Sequence, residues 1–156
     1  MELIDLLNKA IGLASNKMRI EAPKVVIGDF PLEYVFDSSM YEIRLNNDFV
    51  NNNDELMVVG MAIHETRHAY QFIQVKFSDE LKKNRIPTES NDTLELWKHE
   101  FEIHNTKEDW NLDIEIDAFA FMIHFMRILF GVDTNLDEEK MILMSKKLKY
   151  FNIIYK

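Results

Sequence analysis

The sequence predicts a single α+β domain, mostly helical, with a small antiparallel or mixed sheet drawn from residues 24–45. Apolar residues recur at three- and four-residue spacing through most of the chain, the period of helices with one buried face. Short β-branched or alternating runs occur only between Lys24 and Leu45, too few for an all-β fold. A length of 156 residues suits one domain with a sizeable core, residues 1–156, rather than two.

Taken in order, Leu3, Ile4, Leu6, Leu7, Ala10, Ile11 and Leu13 place an amphipathic helix from Glu2 to about Arg19. Pro23 interrupts that pattern, and Lys24-Val25-Val26-Ile27-Gly28 is a β-branched run closed by glycine, hence a strand. Leu32 to Phe36 and Met40 to Leu45, separated by Asp37-Ser38-Ser39, read as a hairpin with Tyr41, Ile43 and Leu45 on one face. Asn46 to Asp54 is rich in turn formers and serves as a connection. The segment from about Asp54 to Ile73 has no proline, starts from an Asn-Asp cluster suited to capping and carries Leu56, Met57, Val59, Ile63 and Phe72, which makes it one buried helix. Ser78 to Asp92 is polar, contains Pro87 and is expected to be irregular. Helical spacing returns at Leu94–Ile103, again at Leu112–Phe130 with Gly131 as its stop, and from Glu138 to about Tyr150.

Composition narrows the chemistry. The 27 acidic against 18 basic residues leave a net charge of −9, which repels the phosphates of nucleic acid. The basic clusters Lys82-Lys83-Asn84-Arg85 and Lys146-Lys147-Leu148-Lys149 are short and lie beside acids, as solvated faces do. No apolar run is long enough to span a membrane, and the acidic N-terminus lacks the features of a secretory signal, so a cytoplasmic location is expected. With no cysteine in the chain, histidine and carboxylate are the strong metal ligands at hand.

Those ligands occur together in Gly60-Met61-Ala62-Ile63-His64-Glu65-Thr66-Arg67-His68-Ala69-Tyr70-Gln71. On a helix His64 and His68 sit one above the other and can direct ring nitrogens at one ion. Glu65 follows the first histidine directly, where a zinc hydrolase holds the base that takes a proton from the zinc-bound water. A chance histidine pair on an amphipathic helix is the bland reading. It is disfavoured because the helix is apolar enough to be buried, and buried imidazoles need partners.

A catalytic zinc takes a third protein ligand, and the stretch Asp113-Ile114-Glu115-Ile116-Asp117-Ala118-Phe119-Ala120-Phe121 supplies candidates. Residues two apart on a helix point about 200° apart, so Glu115 and Asp117 do not both face the ion. Glu115 shares its face with Ala118, Phe119 and Met122, the side that another buried helix would cover. Asp117 shares a more polar strip with Asp113 and His124. Glu115 is therefore the preferred ligand and Asp117 the alternative, or a partner behind the ligands.

The two stretches together, His64-Glu65-Thr66-Arg67-His68-Ala69-Tyr70-Gln71 and Glu115-Ile116-Asp117-Ala118, resemble the small bacterial and phage metallopeptidases of the gluzincin type, closest to the ImmA/IrrE-like group. The resemblance covers roughly Tyr41 to Phe130, its first motif being much the sharper. It implies a zincin-like fold with the sheet beside the active-site helix, and a zinc site made by His64, His68 and Glu115 with Glu65 as general base. Metallopeptidase activity on a peptide or protein is implied too, with a transcriptional regulator as candidate substrate, since the group often works beside a repressor. One departure stands out: the Asp or Asn expected four residues after the ligand glutamate is Phe119 here. A bond orienting a zinc histidine must then come from elsewhere, from Asp117 or a backbone carbonyl.

Within that expectation Met40–Leu45 stands where a substrate-pairing edge strand would lie. His99, His104, His124, Tyr41 and Tyr70 are equal candidates for the group that stabilises a developing oxyanion. Two other functions compete with a zinc hydrolase. A catalytically silent, zinc-stabilised regulatory or binding module would have no use for Glu65 as a base, and a metal-free helical interaction protein would leave the histidine pair unexplained.

Overall fold

The computed structural model describes residues 1–104, 109–134 and 136–156. In chain order these form α1 (Leu3–Met18), β1 (Lys24–Gly28), β2 (Tyr34–Asp37), β3 (Glu42–Asn46), α2 (Asn47–Asn52), α3 (Glu55–Lys83), α4 (Asn91–Ile103), α5 (Asp113–Phe130) and α6 (Glu138–Ile154). The architecture is α+β, mostly helical, with one three-stranded mixed sheet. None of the described helices is long and apolar enough to cross a membrane.

Helix α3 is the axis of the molecule. From Val58 to Gln71 every residue is buried, because α1, α4, α5 and the sheet surround it. The Asp54 carboxylate starts it by accepting the Met57 N–H at 2.8 Å. Its end lies farther on than the sequence pattern suggests. A break at Phe77 (φ −116°, ψ 22°) bends the helix, which then continues to Lys83, so irregular chain is confined to residues 84–90. Asp79, Glu80, Lys82 and Lys83 are solvent-facing, so no apolar period marks this last stretch, yet Glu and Lys are good helix formers.

The sheet order is β1-β3-β2, with β3 parallel to β1 and antiparallel to β2. The β2–β3 turn is closed by Asp37, whose Oδ1 accepts from the Ser39 N–H and hydroxyl at 2.9 and 2.6 Å. Placed in the middle, β3 buries Ile43 and Leu45 completely. Two expectations are corrected here. Tyr41, with φ of 52°, belongs to the turn rather than the strand, and Met40–Leu45 supplies the centre of the sheet rather than its edge. The edge beside α3 is β2. The Asn46–Asp54 connection also holds the short α2, capped by Asn46 Oδ1 from the Asp48 and Phe49 amides and anchored by buried Phe49.

Helix α5 packs along α3 and begins without a side-chain cap of its own. Glu100 of α4 provides one across space, its two carboxylate oxygens accepting the Asp113 and Ile114 amides at 2.8 and 2.9 Å. Gly131 ends α5 in the left-handed region (φ 62°), its N–H donating to Arg127 O at 2.9 Å. Helix α6 covers α5, and His124 Nε2 meets the Tyr155 carbonyl at its end.

Candidate metal centre

Three of the four residues at the centre come from little more than one turn of α3, and the fourth from the first turn of α5. His64, Glu65, His68 and Glu115 are all buried, none more than 7% exposed. The two histidine rings stand edge to face with Nε2 atoms 3.1 Å apart. Glu115 Oε1 lies 2.6 Å from His68 Nε2 and 3.7 Å from His64 Nε2. Glu65 Oε1 is 3.9 Å from His64 Nε2, and its Oε2 accepts the Phe36 amide of β2 at 2.8 Å.

The ligating atoms of His64, Glu65 and His68 lie within 4.8 Å of one another, and this buried group can hold a metal ion. The two carboxylates beside the histidines differ in what their oxygens already do. Glu65 is half committed to β2. Glu115 Oε1 is buried and has no hydrogen-bonded partner among the described residues, although it is closer than Glu65 to both ring nitrogens. A tetrahedral zinc with bonds of about 2.0–2.1 Å spaces its donors about 3.3 Å apart, close to the separation of the two Nε2 atoms. The donor set of two imidazoles and a carboxylate, with no thiolate, suits zinc.

Electrostatics agree with a cation at this point. Burial by itself would lower the His68 pKa, but the charge of Glu65 and the contact with Glu115 push it up to about 9. Burial would raise that of Glu115, yet His64 and His68 hold it well below the usual carboxylate range.

Behind the histidines the two rings are held differently. His64 packs on Phe119, ring centroids 4.2 Å apart, and its Nδ1 has no hydrogen-bond partner among the described residues. The departure noted at position 119 thus replaces a hydrogen bond by ring packing. His68 Nδ1 lies 2.8 Å from Gln71 Oε1. The Gln71 amide nitrogen donates to the Ile114 carbonyl at 3.0 Å and to Asp117 Oδ2 at 2.7 Å.

Asp117 faces away from the histidines. It takes Arg67 Nε at 2.6 Å and Nη2 at 3.2 Å, with Lys147 Nζ of α6 at 3.2 Å. Burial opposes its charge, but Arg67 and then Lys147 outweigh that and bring its pKa down to about 2. Arg67 in turn lies over the Tyr70 ring at 4.2 Å and donates to the Tyr155 hydroxyl at 3.0 Å. The 200° offset between Glu115 and Asp117 therefore sends the first to the histidines and the second to buried Arg67 and half-buried Lys147.

The centre lines a cleft of about 530 Å³ together with Leu32, Tyr34, Val35, Phe36, Phe72 and Phe101, the Phe36 and Phe72 rings packing with centroids 5.9 Å apart. Of the five oxyanion candidates only His104 lines it, with Nε2 4.0 Å from Glu115 Oε1. His99 is exposed, His124 is tied to Tyr155, Tyr70 donates to Glu89 and Tyr41 to the Glu21 carbonyl.

Several residues of the site have no role in the sequence reading. Gln71 is three residues beyond His68 and seven beyond His64, so it shares their face, and that spacing is a usable signal. Glu100 is an acid in line with Leu94 and Trp97 on the buried side of α4, another. The bond from Phe36 to Glu65 has no sequence signal, because the residues are 29 apart and the strand order had to be known. Comparison of the chain with protein-family models, curated proteins and solved structures gives no match in any of the three.

Proposed function

We propose that this chain is a cytoplasmic, zincin-like zinc metallopeptidase that hydrolyses a peptide bond in a peptide or protein, a transcriptional regulator being the first candidate. The observation that carries the reading is the convergence of His64 Nε2, His68 Nε2 and a Glu115 Oε1 with no hydrogen-bonded partner among the described residues, with Glu65 alongside in the lining of a cleft. When bound by His64, His68 and Glu115, zinc supplies Lewis acidity, which polarises a carbonyl and lowers the pKa of a water.

Glu65 takes a proton from the attacking water as its oxygen bonds the carbonyl carbon. It returns that proton to the amide nitrogen as the carbon–nitrogen bond breaks, releasing an amine and a carboxylic acid, whose remaining proton passes to the amine to leave a carboxylate and an ammonium. The Phe36 amide holds one Glu65 oxygen, which keeps the other turned toward the histidines. His104 is the group placed to donate to the carbonyl oxygen as it gains charge.

The same bond supports a second reading, a silent zinc-stabilised module, since anchoring β2 gives Glu65 a use other than catalysis. Glu65→Gln separates the two. Glutamine still accepts the Phe36 amide but cannot take the proton. Protein purified without added metal would be assayed for zinc by elemental analysis, and parent and variant incubated with casein and with candidate regulators while new termini are sought by mass spectrometry. A peptidase cleaves as parent and fails as Glu65→Gln with zinc retained. Zinc present with no cleavage by either supports the silent module, and absence of zinc removes both.

A further inference from the structure

The side chain of Gln71 is bonded in a way that leaves only one orientation for its amide. Its two neighbours on one side, the Ile114 carbonyl and Asp117 Oδ2, are both acceptors, at 3.0 and 2.7 Å. Both Asp117 oxygens already face cationic donors, Oδ2 taking Arg67 Nε at 2.6 Å and Oδ1 meeting Arg67 Nη2 and Lys147 Nζ at 3.2 Å, and the Ile114 carbonyl can only accept. The NH2 end of Gln71 must face these two acceptors, and its oxygen must then face His68. An amide oxygen only accepts, so the ring nitrogen 2.8 Å away, His68 Nδ1, carries a hydrogen. In the form that binds a metal the ring keeps one hydrogen, and with it held on Nδ1 the lone pair is on Nε2, the nitrogen that faces His64 Nε2 and Glu115 Oε1.

We infer that Gln71 and Asp117 are positioning residues for the metal centre: a relay from Lys147 and Arg67 through Asp117 and the Gln71 amide sets the tautomer and the direction of His68. It rests on the proposed zinc site only for its effect on affinity; the tautomer itself follows from the bonds. The relay makes a metal ligand on α3 depend on a lysine of α6, 79 residues away in the chain and not in contact with the site. It acts on one histidine alone. His64, whose Nδ1 meets no acceptor among the described residues, is set by packing on Phe119.

The test uses the full chain labelled with 15N at histidine. Long-range 1H–15N spectra at pH 7, with zinc added and without, are expected to show a slowly exchanging proton on His68 Nδ1. Gln71→Leu, which keeps the volume and removes the acceptor, is expected to let that proton exchange fast. It should also weaken zinc binding on the order of 10-fold to 100-fold in competition with a chelator, and Lys147→Met should weaken it in the same direction by less. An Nδ1 without hydrogen in the parent overturns the inference, and so does parental zinc affinity in a folded Gln71→Leu protein. If Gln71→Leu does not fold, the parent spectrum and Lys147→Met decide: a protonated Nδ1 with lowered affinity in Lys147→Met supports the relay, and unchanged affinity refutes it. A parent that binds no zinc but shows the slow Nδ1 proton, lost in Gln71→Leu, removes the metal site and leaves the relay standing.

Discussion

Glu65 and Phe36 are joined by a 2.8 Å hydrogen bond from the Phe36 amide to Glu65 Oε2, which ties the buried face of α3 to the edge strand that walls the cleft. Removing the acceptor leaves a part-buried N–H unbonded, a loss of about 1–3 kcal/mol. Glu65→Ala is therefore expected to melt lower than Glu65→Gln, although both lack the base. Equal melting of the two variants in thermal denaturation followed by circular dichroism would show that the bond contributes nothing.

Metal removal should loosen the contact between α3 and α5, because the proposed ligands come from both helices. With free zinc at 100 times its dissociation constant, the folded state gains about 2.7 kcal/mol. Glu115→Ala should lose most of the zinc and nearly all of that gain. The measurement is the rise in melting temperature on adding zinc to chelator-treated protein, expected in the parent and absent in Glu115→Ala.

Glu100 bonds the first two amides of α5, two residues ahead of Glu115. Glu100→Ala should cost about 1–2 kcal/mol, the range for a lost N-terminal cap, with more fraying at the start of α5. Hydrogen exchange at Asp113 to Asp117 would accelerate in the variant while exchange at α1 stayed unchanged. A uniform change along the chain would place the effect elsewhere.

Asp117 gives the protein a specific acid sensitivity. Its folded pKa of about 2 lies below the ordinary 3.8, so it stabilises the folded state fully above pH 3.8 and progressively less as pH falls through 2. Asp117→Asn leaves the Arg67 charge without its main partner and should cost about 3–5 kcal/mol near neutral pH. The difference in stability between parent and variant should shrink between pH 4 and pH 2, as the parent carboxylate protonates. Urea titrations at several pH values would show it, and a constant difference would mean that Asp117 is not the group responsible.

The cores of the five longer helices, the hairpin and the grouping of His64, Glu65 and His68 within little more than one helical turn were legible along the chain, because helical and strand periods are local properties that a few residues express. The opposition of Glu115 to Asp117 was legible for the same reason, being a matter of angle on one helix. What each of the two faces was not: the partners of Asp117 are Arg67 on α3 and Lys147 on α6, 50 and 30 residues away, and no period connects them. Likewise β3 became central only when β1 paired with it in parallel, and the α5 cap only when Glu100 arrived from α4. The extension of α3 past Phe77 had no apolar pattern to announce it, since its residues face water. The sequence by itself determined which side chains share a face; the tertiary structure decided what each face meets, because buried charges and unbonded amides are satisfied by whichever element the packed chain brings within about 3 Å.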